Sequence, residues 1–275
     1  MRLYRAIVSS FLCLLLLIGA AGPVAAQDLL LATTTSTDNT GLLDELAPMF
    51  KQDTGIKLNW TAVGTGKALE LGRNCDADAL LVHAPNAEKR YVENGYGVDR
   101  TQIMYNDFII IGPPGDPAGI KGMEVTKALS RIEAEGADFA SRGDDSGTHK
   151  NELQLWKAAG DGAPSGKSWY METGQGMMAT IRVAAEKNAY TMADRGTYIK
   201  YADNFDGNPP LAVLVEGDEI LFNQYSAMAV NPDRCENVDF ESARKFINWI
   251  TSEHVQKAIG EYRLLGKTLF TPNAE

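Results

Sequence analysis

Three short stretches of the chain concentrate groups that donate hydrogen bonds. In Ala32–Thr40 every residue after the alanine carries a hydroxyl, carboxamide or carboxylate oxygen. Val63–Lys67 places a threonine between two glycines, and Ser141–His149 combines an arginine with serine, glycine and threonine. Hydroxyl, backbone N–H and guanidinium donors together suit a ligand that offers acceptor atoms, such as an inorganic oxyanion. The chemistry that these stretches indicate is anion binding.

Each stretch follows a predicted strand and precedes a predicted helix. At such a junction the free N–H groups and the dipole of the helix favour an anion, and ligands of open α/β sheets bind at the carboxyl ends of the strands. The alternative for Ser36–Thr40 is helix capping. A cap needs one side chain, however, and this stretch supplies several, so we expect the others to contact a ligand.

The second stretch matches a nucleotide-binding P-loop only in part. Thr61 stands where the first glycine would be, and Ala68 replaces the hydroxyl residue that binds magnesium. What remains is Thr65 between two glycines, where the backbone can approach a ligand closely. We therefore predict Thr65 as a binding residue.

In the third stretch, Arg142 offers a fork of donors that matches an oxyanion, and Ser146–Thr148 offer hydroxyl and N–H groups. An ordinary salt bridge from Arg142 to Asp144 or Asp145 is the alternative. Asp144 also stands where the G-x-S-x-G elbow of a serine hydrolase needs its first glycine. A rival hypothesis is an exported hydrolase with Ser146 as its nucleophile. The sequence, however, lacks the elbow motif and places no base beside Ser146.

Two further stretches precede predicted or possible helices. Met171–Gly176 comes before a helix that starts near Gly176, and Ala189–Tyr198 clusters Tyr190, Thr191 and Arg195. Both are compatible with a binding role and with structural turns or helix caps. The residue pattern does not decide between these two roles.

Strands and helices must alternate to position these stretches. The sequence predicts strands at Asp28–Thr33, Lys57–Val63 and Ala79–Val82, with helices from Leu42, from Gly64 and over Ala87–Asn94. This βαβαβ start predicts an open parallel sheet with helices on both faces. Further helices are predicted near Val125–Glu135, Thr148–Ala159, Ser242–Thr251 and Glu253–Ile259.

Two long extended segments, Gln102–Gly112 and Glu219–Asn231, predict that the chain leaves one lobe, builds a second and returns. The expected fold is α/β, with two Rossmann-like lobes whose open mixed sheets are joined by two crossing hinge segments. Lobe 1 would comprise residues 27–105 and 226–275, and lobe 2 residues 106–225. Such an arrangement suits hinge closure around a ligand.

The first 26 residues have the pattern of a secretory signal peptide. Arg2 and Arg5 precede a short apolar core, and Val24–Ala26 supply small residues before the expected cleavage site. We expect a periplasmic protein that is exported and does not insert into the membrane. Without this segment the chain has 24 basic and 36 acidic residues, a balance that argues against nucleic-acid binding.

The cysteines and histidines show no metal-binding pattern. The three histidines are scattered, and the two cysteines outside the signal segment, Cys75 and Cys235, lie too far apart for a zinc motif. Export permits these cysteines to form a disulfide. Two separate buried thiols are the alternative, and spacing alone does not decide between them.

Several of these segments together resemble the tungstate-binding periplasmic proteins of the TupA type. The segments are Ala32–Leu42, Leu80–Ala84, Met104–Phe108, Ser141–His149 and Tyr190–Tyr198, which follow one another in the order of that family across nearly the whole exported chain. The resemblance implies a type II periplasmic binding protein that captures tungstate or molybdate for the permease of an ABC importer. It further implies a monomer that is not an enzyme and carries no cofactor.

The resemblance also implies which residues hold the oxyanion. Hydroxyls and backbone amides of the Thr-Thr-Thr-Ser stretch and of the Ser-Gly-Thr turn would bind it, and an arginine would help to discriminate between oxyanions. With Thr65 added from its spacing, the predicted binding residues are Thr33, Thr34, Thr35, Ser36, Thr65, Arg142, Ser146, Gly147 and Thr148.

A tetrahedral dianion such as tungstate offers acceptor atoms only, so its site should supply donors and keep carboxylates out of contact. Asp144 and Asp145 should therefore point elsewhere. A binding protein for phosphate or sulfate would keep the same fold. Phosphate is often protonated at neutral pH and then favours an acceptor carboxylate, a role for which Asp145 is available.

Overall fold

Strands and helices alternate from the first strand onward in the computed structural model, which describes residues 27–160 and 162–274. The predicted signal peptide at residues 1–26 lies outside the described residues. The strands are β1 Asp28–Thr34, β2 Lys57–Val63, β3 Ala79–Val82, β4 Gly97–Gly112, β5 Phe139–Ser141, β6 Tyr170–Glu172, β7 Tyr190–Asp194, β8 Ala212–Val215, β9 Phe222–Val230, β10 Arg263–Leu264, β11 Lys267–Thr268 and β12 Thr271–Pro272. The helices are α1 Thr35–Asp38, α2 Leu42–Thr54, α3 Thr65–Arg73, α4 Pro85–Glu93, α5 Val125–Glu135, α6 Gly147–Ala159, α7 Met177–Lys187, α8 Arg195–Asp203, α9 Phe240–Ile250 and α10 Glu253–Glu261.

One mixed sheet runs through the described residues in the order β2-β1-β3-β9-β4-β7-β5-β6, with β8 and β12 also paired to β4. The strands β2, β1 and β3 are parallel, as are β6, β5 and β7. By contrast, β9 runs antiparallel to both β3 and β4. The parallel sheet predicted from the βαβαβ start is therefore confirmed for β1–β3, within a sheet that is mixed as a whole.

Four hydrophobic clusters cover the two faces of this sheet at its two ends. One pair packs around β1, β3 and β9, and we call this half lobe 1. The other pair packs around β5, β7 and the second part of β4, and we call this half lobe 2. The expected α/β fold with two lobes is thus observed. The exact boundaries, between residues 105 and 106 and between residues 225 and 226, stay a prediction.

The long strand β4 connects the two lobes. Its first part pairs with β9 from Gly97 to Asp107, and its last part pairs with β7 and β8 from Phe108 to Gly112. The extended segment predicted from Gln102 therefore begins five residues earlier. The second predicted segment, Glu219–Asn231, begins with a 3₁₀ turn rather than a strand, because the side chain of Asp218 accepts a hydrogen bond from Ile220 N and caps that turn.

Helix α2 shows how the sequence pattern determines packing. Its residues Leu42, Leu43, Leu46 and Phe50 are buried, which is the face that the apolar spacing predicts. Burying each such side chain stabilises the fold by roughly 1.5–3 kcal/mol. The helix ends at Gly55, which adopts φ 76° and donates its N–H to Lys51 O, a conformation that costs glycine little.

Cys75 and Cys235 form a disulfide, which settles the question that their spacing left open. Cys75 follows α3 and Cys235 follows β9, so the bond joins the two chain segments of lobe 1. Among the described residues, no helix is both long enough and apolar enough to cross a membrane.

The topology brings the three polar stretches together. Thr34 and Val63, at the ends of β1 and β2, are paired in register, so the chain leaves both strands at one edge of the sheet. In lobe 2, Ser141 at the end of β5 is paired with Glu172 at the end of β6. The stretches that follow these strands therefore lie at the carboxyl edges of the two lobes.

Candidate anion-binding cleft

A cleft of about 1000 Å³ lies between the carboxyl edges of the two lobes. Eight of the nine predicted binding residues line it, and they come from both lobes. These eight are Thr34, Thr35, Ser36, Thr65, Arg142, Ser146, Gly147 and Thr148. Segments separated by more than 100 residues in the sequence thus meet in one cavity.

Thr33 is the predicted residue that the structure does not bring to the cleft. It is fully buried in β1, and its Oγ1 donates to Leu81 O at 2.7 Å. The bond ties β1 to its neighbour β3. Side chains alternate along a strand, so Thr33 and Thr34 point to opposite faces.

Thr34 caps the short helix α1. Its Oγ1 accepts a hydrogen bond from Thr37 N at 3.1 Å and lies 3.0 Å from Ser36 Oγ. Thr35 and Ser36 are exposed at the same point. Thr34 therefore supplies the cap expected of this stretch, and the exposed residues Thr35 and Ser36 line the cleft. Contact of their hydroxyls with a ligand stays a prediction.

Helix α3 begins at Gly64, which makes no side-chain cap. The first intrahelical bond runs from Ala68 N to Gly64 O, so the N–H groups of Thr65 and Gly66 have no acceptor within the helix. A Cβ atom added at Gly64 or Gly66 would meet nothing within 4 Å. The glycines leave space for a ligand to approach this helix end.

Helix α6 presents the Ser-Gly-Thr turn. Ser146 caps the helix by accepting from His149 N at 3.2 Å. The next bond runs from Lys150 N to Ser146 O, which leaves the N–H groups of Gly147 and Thr148 without intrahelical partners. These two groups lie at the positive end of a 13-residue helix, where an anion is favoured.

Arg142 is held in place beside this turn. Its Nε donates to Gln175 O at 3.3 Å and its Nη2 pairs with Asp144, while the side chain keeps 17% of its exposure. Nη1 has no protein partner among the described residues. The salt bridge to Asp144 that was the alternative role therefore exists, and it orients a guanidinium that retains free donors in the cleft.

The two aspartates of the turn have different surroundings. Burial alone would raise the pKa of Asp144, but hydrogen bonds from Ser146 and the charge of Arg142 outweigh it and lower that pKa. Asp145 adopts φ 57°, pairs with Lys150 at 3.3 Å and leaves 86% of its side chain exposed. Asp144 is thus an ionised partner of Arg142. Asp145 lines the cavity together with Lys150, so the expectation that it points elsewhere is not met.

A third helix start, that of α7, also reaches the cleft; for this stretch the sequence left a binding role and a structural turn open. Gly176 precedes α7 without a side-chain cap, and it lines the cleft together with Met177–Ala179. The first intrahelical bond runs from Thr180 N to Gly176 O. The Gly-Gln-Gly sequence before an apolar helix was the feature that indicated this helix start, and the structure brings it to the cleft.

His83 and its neighbours form the back wall of the cleft and were not predicted as binding residues. His83 Nε2 lies 2.8 Å from Ser36 Oγ, and Nδ1 lies 3.0 Å from Asn223 Oδ1. The ring stacks on Tyr225 with centroids 4.7 Å apart. Asn106 accepts from Asn223 Nδ2 at 2.8 Å, so this wall joins β3 to both crossing strands.

The stretch Ala189–Tyr198 is largely structural. Asp194 caps α8 by accepting from Thr197 N at 2.8 Å and from Thr197 Oγ1 at 2.7 Å. Arg195 is bound by both oxygens of Asp107, at 2.5 and 2.6 Å, and by Glu216. These acceptors raise the pKa of Arg195, and they leave it little capacity to bind an anion.

The lobes also touch at the rim of the cleft. Lys200 on α8 donates from Nζ to Asn39 O, which ends α1. Both residues line the cavity. The bond therefore connects lobe 2 to the hydroxyl-rich stretch of lobe 1.

Ser146 does not have the geometry of a hydrolase nucleophile. Its hydroxyl oxygen serves as the cap of α6, and the Nδ1 of the nearby His149 accepts from Asp145 N at 3.0 Å. That imidazole nitrogen is therefore turned toward the backbone and not toward Ser146. The absence of enzymatic activity itself stays a prediction.

Comparisons with known proteins agree with this geometry. A family model described as a PBP superfamily domain matches residues 19–254. The tungstate-binding protein TupA of Campylobacter jejuni is 49% identical over 240 residues, which cover 87% of this chain and 89% of that protein. The protein of the same name from Peptoclostridium acidaminophilum is 47% identical over 255 residues, covering 91% and 87% of the two chains.

Two solved structures resemble the chain in fold and sequence. The tungstate-binding protein TupA from Desulfovibrio alaskensis G20 superposes with a TM-score of 0.89 at 64% identity, covering 91% of this chain and all of that one. A structure described as the tungstate ABC transporter from Geobacter sulfurreducens gives a TM-score of 0.75 at 45% identity, covering 86% and 98%.

Proposed function

Because the chain belongs to the PBP superfamily and, within it, to the family of TupA proteins, we propose that it binds tungstate between its two lobes and delivers it to an ABC importer. The relatives that carry the TupA name are described as tungstate-binding proteins. Molybdate is the second ligand that the same site would accept.

One observation carries this proposal: the cleft gathers hydrogen-bond donors from both lobes. The starts of α3, α6 and α7 all line the cavity. Asp194 accepts from Thr197, and Asp145 pairs with Lys150. A site of this kind matches an ion that carries negative charge and acceptor atoms only.

We assign the contacts as follows. Thr35, Ser36, Thr65 and Thr148 donate from their hydroxyls, and the N–H groups at the starts of α3, α6 and α7 donate from the backbone. Ser146 and Thr34 hold the turns in shape, and Arg142 supplies a compensating charge. Each charge-assisted hydrogen bond contributes about 1.5–3 kcal/mol, which makes a small dianion a ligand of high affinity.

Binding from two lobes couples affinity to closure. Donors of α3 belong to lobe 1, and Arg142 with the starts of α6 and α7 belongs to lobe 2. A ligand shifts a conformational equilibrium only by binding one state better than the other. Only the closed arrangement places both sets around one ion, so tungstate would favour closure about β4 and β9.

The named relatives favour tungstate over phosphate as the ligand. Phosphate carries a proton at neutral pH for much of the time, and a selective site then needs a carboxylate to accept it. Asp145, the candidate for that role, lines the cleft and pairs with Lys150, so phosphate is the competing ligand that a binding measurement must test. A fully deprotonated dianion needs no such acceptor.

The remaining expectations belong to the same proposal. The protein would work as a periplasmic monomer, exported by its first 26 residues and recognised by the permease of the importer. It would need no cofactor and catalyse no reaction. The Cys75–Cys235 disulfide fits an oxidising compartment.

A thermal-shift panel of tungstate, molybdate, sulfate and phosphate tests the proposal. A ligand that binds only the folded state stabilises it by mass action and so raises the melting temperature. At a ligand concentration of 100 times the Kd, the free energy of unfolding increases by about 2.7 kcal/mol. We expect large shifts with tungstate and smaller ones or none with sulfate and phosphate. If tungstate produces no shift at any concentration, the proposal is wrong.

A further inference from the structure

His83 makes contacts at both ring nitrogens, on the lobe 1 side of the cleft. It directly follows β3 and lines the cavity. Its Nε2 lies 2.8 Å from Ser36 Oγ and 3.0 Å from Thr34 Oγ1, and its Nδ1 lies 3.0 Å from Asn223 Oδ1. The ring thus sits between the proposed anion donors and the crossing strand β9.

The amide of Asn223 determines which ring nitrogen carries the proton. Its Nδ2 donates to Asn106 Oδ1 at 2.8 Å, so its Oδ1 faces the imidazole. A carbonyl oxygen only accepts, and Nδ1 of His83 must therefore hold the proton. In the neutral ring Nε2 is then a bare acceptor.

A bare Nε2 turns hydroxyl protons away from the cleft. Ser36 donates to it, and the neighbouring hydroxyl of Thr34 lies within reach of both Nε2 and Ser36 Oγ. An oxyanion that approaches Ser36 in this arrangement meets oxygen lone pairs instead of a proton. Ser36, one of the donors expected to hold the ligand, is committed to the imidazole while the ring is neutral.

We propose that His83 is a positioning residue of this site and that its ring takes up one proton from solvent when the anion binds. The Nε2–H then donates to Ser36 Oγ, and the Ser36 hydroxyl proton turns to the ligand. The imidazolium also adds one positive charge beside a dianion. This inference rests on the proposed function, because it concerns the same anion.

The charges around the ring favour an imidazole that is neutral before the anion binds and protonated afterwards. Protein surrounds most of the ring, and this burial lowers the pKa of His83, against the opposing effects of Asn223 and of the negative charge of Asp194. Tyr225, stacked on the ring, has a raised pKa because it is buried and stays a neutral phenol. A bound dianion adds negative charge and raises the pKa of His83. The charged residues that line the cleft are Arg90, Arg142, Asp145, Lys150, Asp194 and Lys200.

The sign of the pH dependence follows from these shifts. Burial lowers the pKa of free His83, and a bound dianion would raise the pKa of the ring, so binding at a pH between the two values takes up a proton. Tungstate affinity should then fall as pH rises between the pKa of the free ring and that of the bound ring, by at most about tenfold per pH unit for one linked proton.

Titration calorimetry of the full exported chain with sodium tungstate tests this inference. At one pH between 7 and 9, the binding enthalpy is measured in buffers with different ionisation enthalpies, and the slope gives the number of protons taken up. We expect uptake approaching one for the wild type. The His83→Gln variant should bind tungstate without uptake, because a carboxamide N–H donates to Ser36 without titrating. His254→Gln is the matched control and should keep the uptake, since His254 lies on the surface beside Asp53.

Nitrogen NMR of the wild-type ring provides a measurement that does not depend on a variant. Nε2 should change from an unprotonated to a protonated shift when tungstate is added. Tungstate binding without proton uptake would overturn the inference, because the ring would then keep the same charge in the free and bound protein. Uptake that survives in His83→Gln would overturn it as well. No tungstate binding at all would instead overturn the proposed function and the inference with it.

Discussion

Individual side chains of the cleft divide into those that shape it and those that face the ligand space. Thr34 and Ser146 both cap helices, and Asp144 orients Arg142. Thr35 and Ser36 are exposed at the same helix start. Neighbouring residues of one motif therefore have different roles, and substitutions at them should have separable effects.

Arg142 provides the first such test. Arg142→Glu would replace a charge-assisted donor by a carboxylate next to a dianion, so we expect tungstate affinity to fall by more than about 100-fold. Arg142→Lys would keep the charge but lose the fork that reaches Gln175, Asp144 and the ligand together. It should blunt discrimination among oxyanions more than affinity.

Titration calorimetry with tungstate, molybdate and sulfate measures both effects. Arg131→Gln removes a charge from the exposed surface of lobe 2, where Arg131 pairs with Glu135, and serves as the control. Wild-type affinity in Arg142→Glu would remove Arg142 from the site.

Thr33 and Ser36 form a second, paired prediction. Ser36→Ala removes a proposed ligand donor and should weaken tungstate binding by roughly 10- to 100-fold with little change in stability. Thr33→Val removes the buried bond to Leu81 O and should lower the free energy of unfolding by about 1 kcal/mol while leaving affinity unchanged. Urea denaturation and calorimetry on both variants give the comparison, and the reverse pattern would contradict the assignment.

The sequence predicts part of this division and misses part of it. An excess of hydroxyls marks Thr33–Ser36 as a candidate site. Only the alternation of side chains along β1 decides that Thr33 faces the interior and Thr34 faces the cleft. His83 was not predicted because it is a single polar residue after an apolar strand, and its partners Asn223 and Asn106 lie more than 20 residues away in the chain. Only the strand order brings them together.

At the scale of elements, the starts of α3, α6 and α7 carry the proposed site. Two of the three begin at glycines, Gly64 and Gly176, that make no side-chain cap. Ser or Asp at these positions would satisfy the helix end by itself. The glycines leave that end free for an external anion.

Gly176→Ala tests this role of the helix starts. The residue has φ −65° and ψ 163°, which alanine adopts without strain, and an added Cβ would meet nothing within 4 Å. We expect an unchanged fold and a loss of tungstate affinity, because the methyl group projects at the rim of the ligand space. Gly115→Ala, in an exposed loop with equal room, should affect neither property. An unchanged tungstate Kd in Gly176→Ala would show that α7 does not approach the ligand.

Helices with clear periodicity and the apolar strand β3 were predicted closely, whereas β5, β6 and α8 were not predicted. Helix α5 occupies Val125–Glu135 as expected, and α2 buries the predicted face. Strands β5 and β6 have three residues each, too few to show an alternating pattern. Helix α8 was missed because it buries only Gly196 and Tyr201, which leaves no apolar stripe to detect.

At the scale of the whole molecule, the two lobes meet through β4, β9 and the rim contact of Lys200 with Asn39. The crossing strands are joined by backbone pairing, whereas the rim contact is a single hydrogen bond from a side chain. It also places a cation beside the mouth of a cleft that is proposed to hold a dianion. We therefore expect it to stabilise the closed, ligand-bound state.

Lys200→Met should weaken tungstate binding by roughly 2- to 10-fold, mainly because tungstate is released faster. This corresponds to the loss of one hydrogen bond of about 0.5–1.5 kcal/mol. Stopped-flow measurement of tungstate dissociation checks this. Lys187→Met removes an equal charge from the far end of α7 and serves as the control. If both variants release tungstate at the wild-type rate, the rim contact has no part in closure.

The disulfide described in lobe 1 makes a closed covalent ring of the chain from residue 75 to residue 235, a separation of 160 residues that contains all of lobe 2. A protease that cuts one loop of lobe 2 would open the ring but would not divide the molecule. The nicked protein should migrate as one species until a reductant is added, and only then as two fragments. Proteolytic cleavage within lobe 2 would therefore leave the two fragments covalently joined through the disulfide of lobe 1.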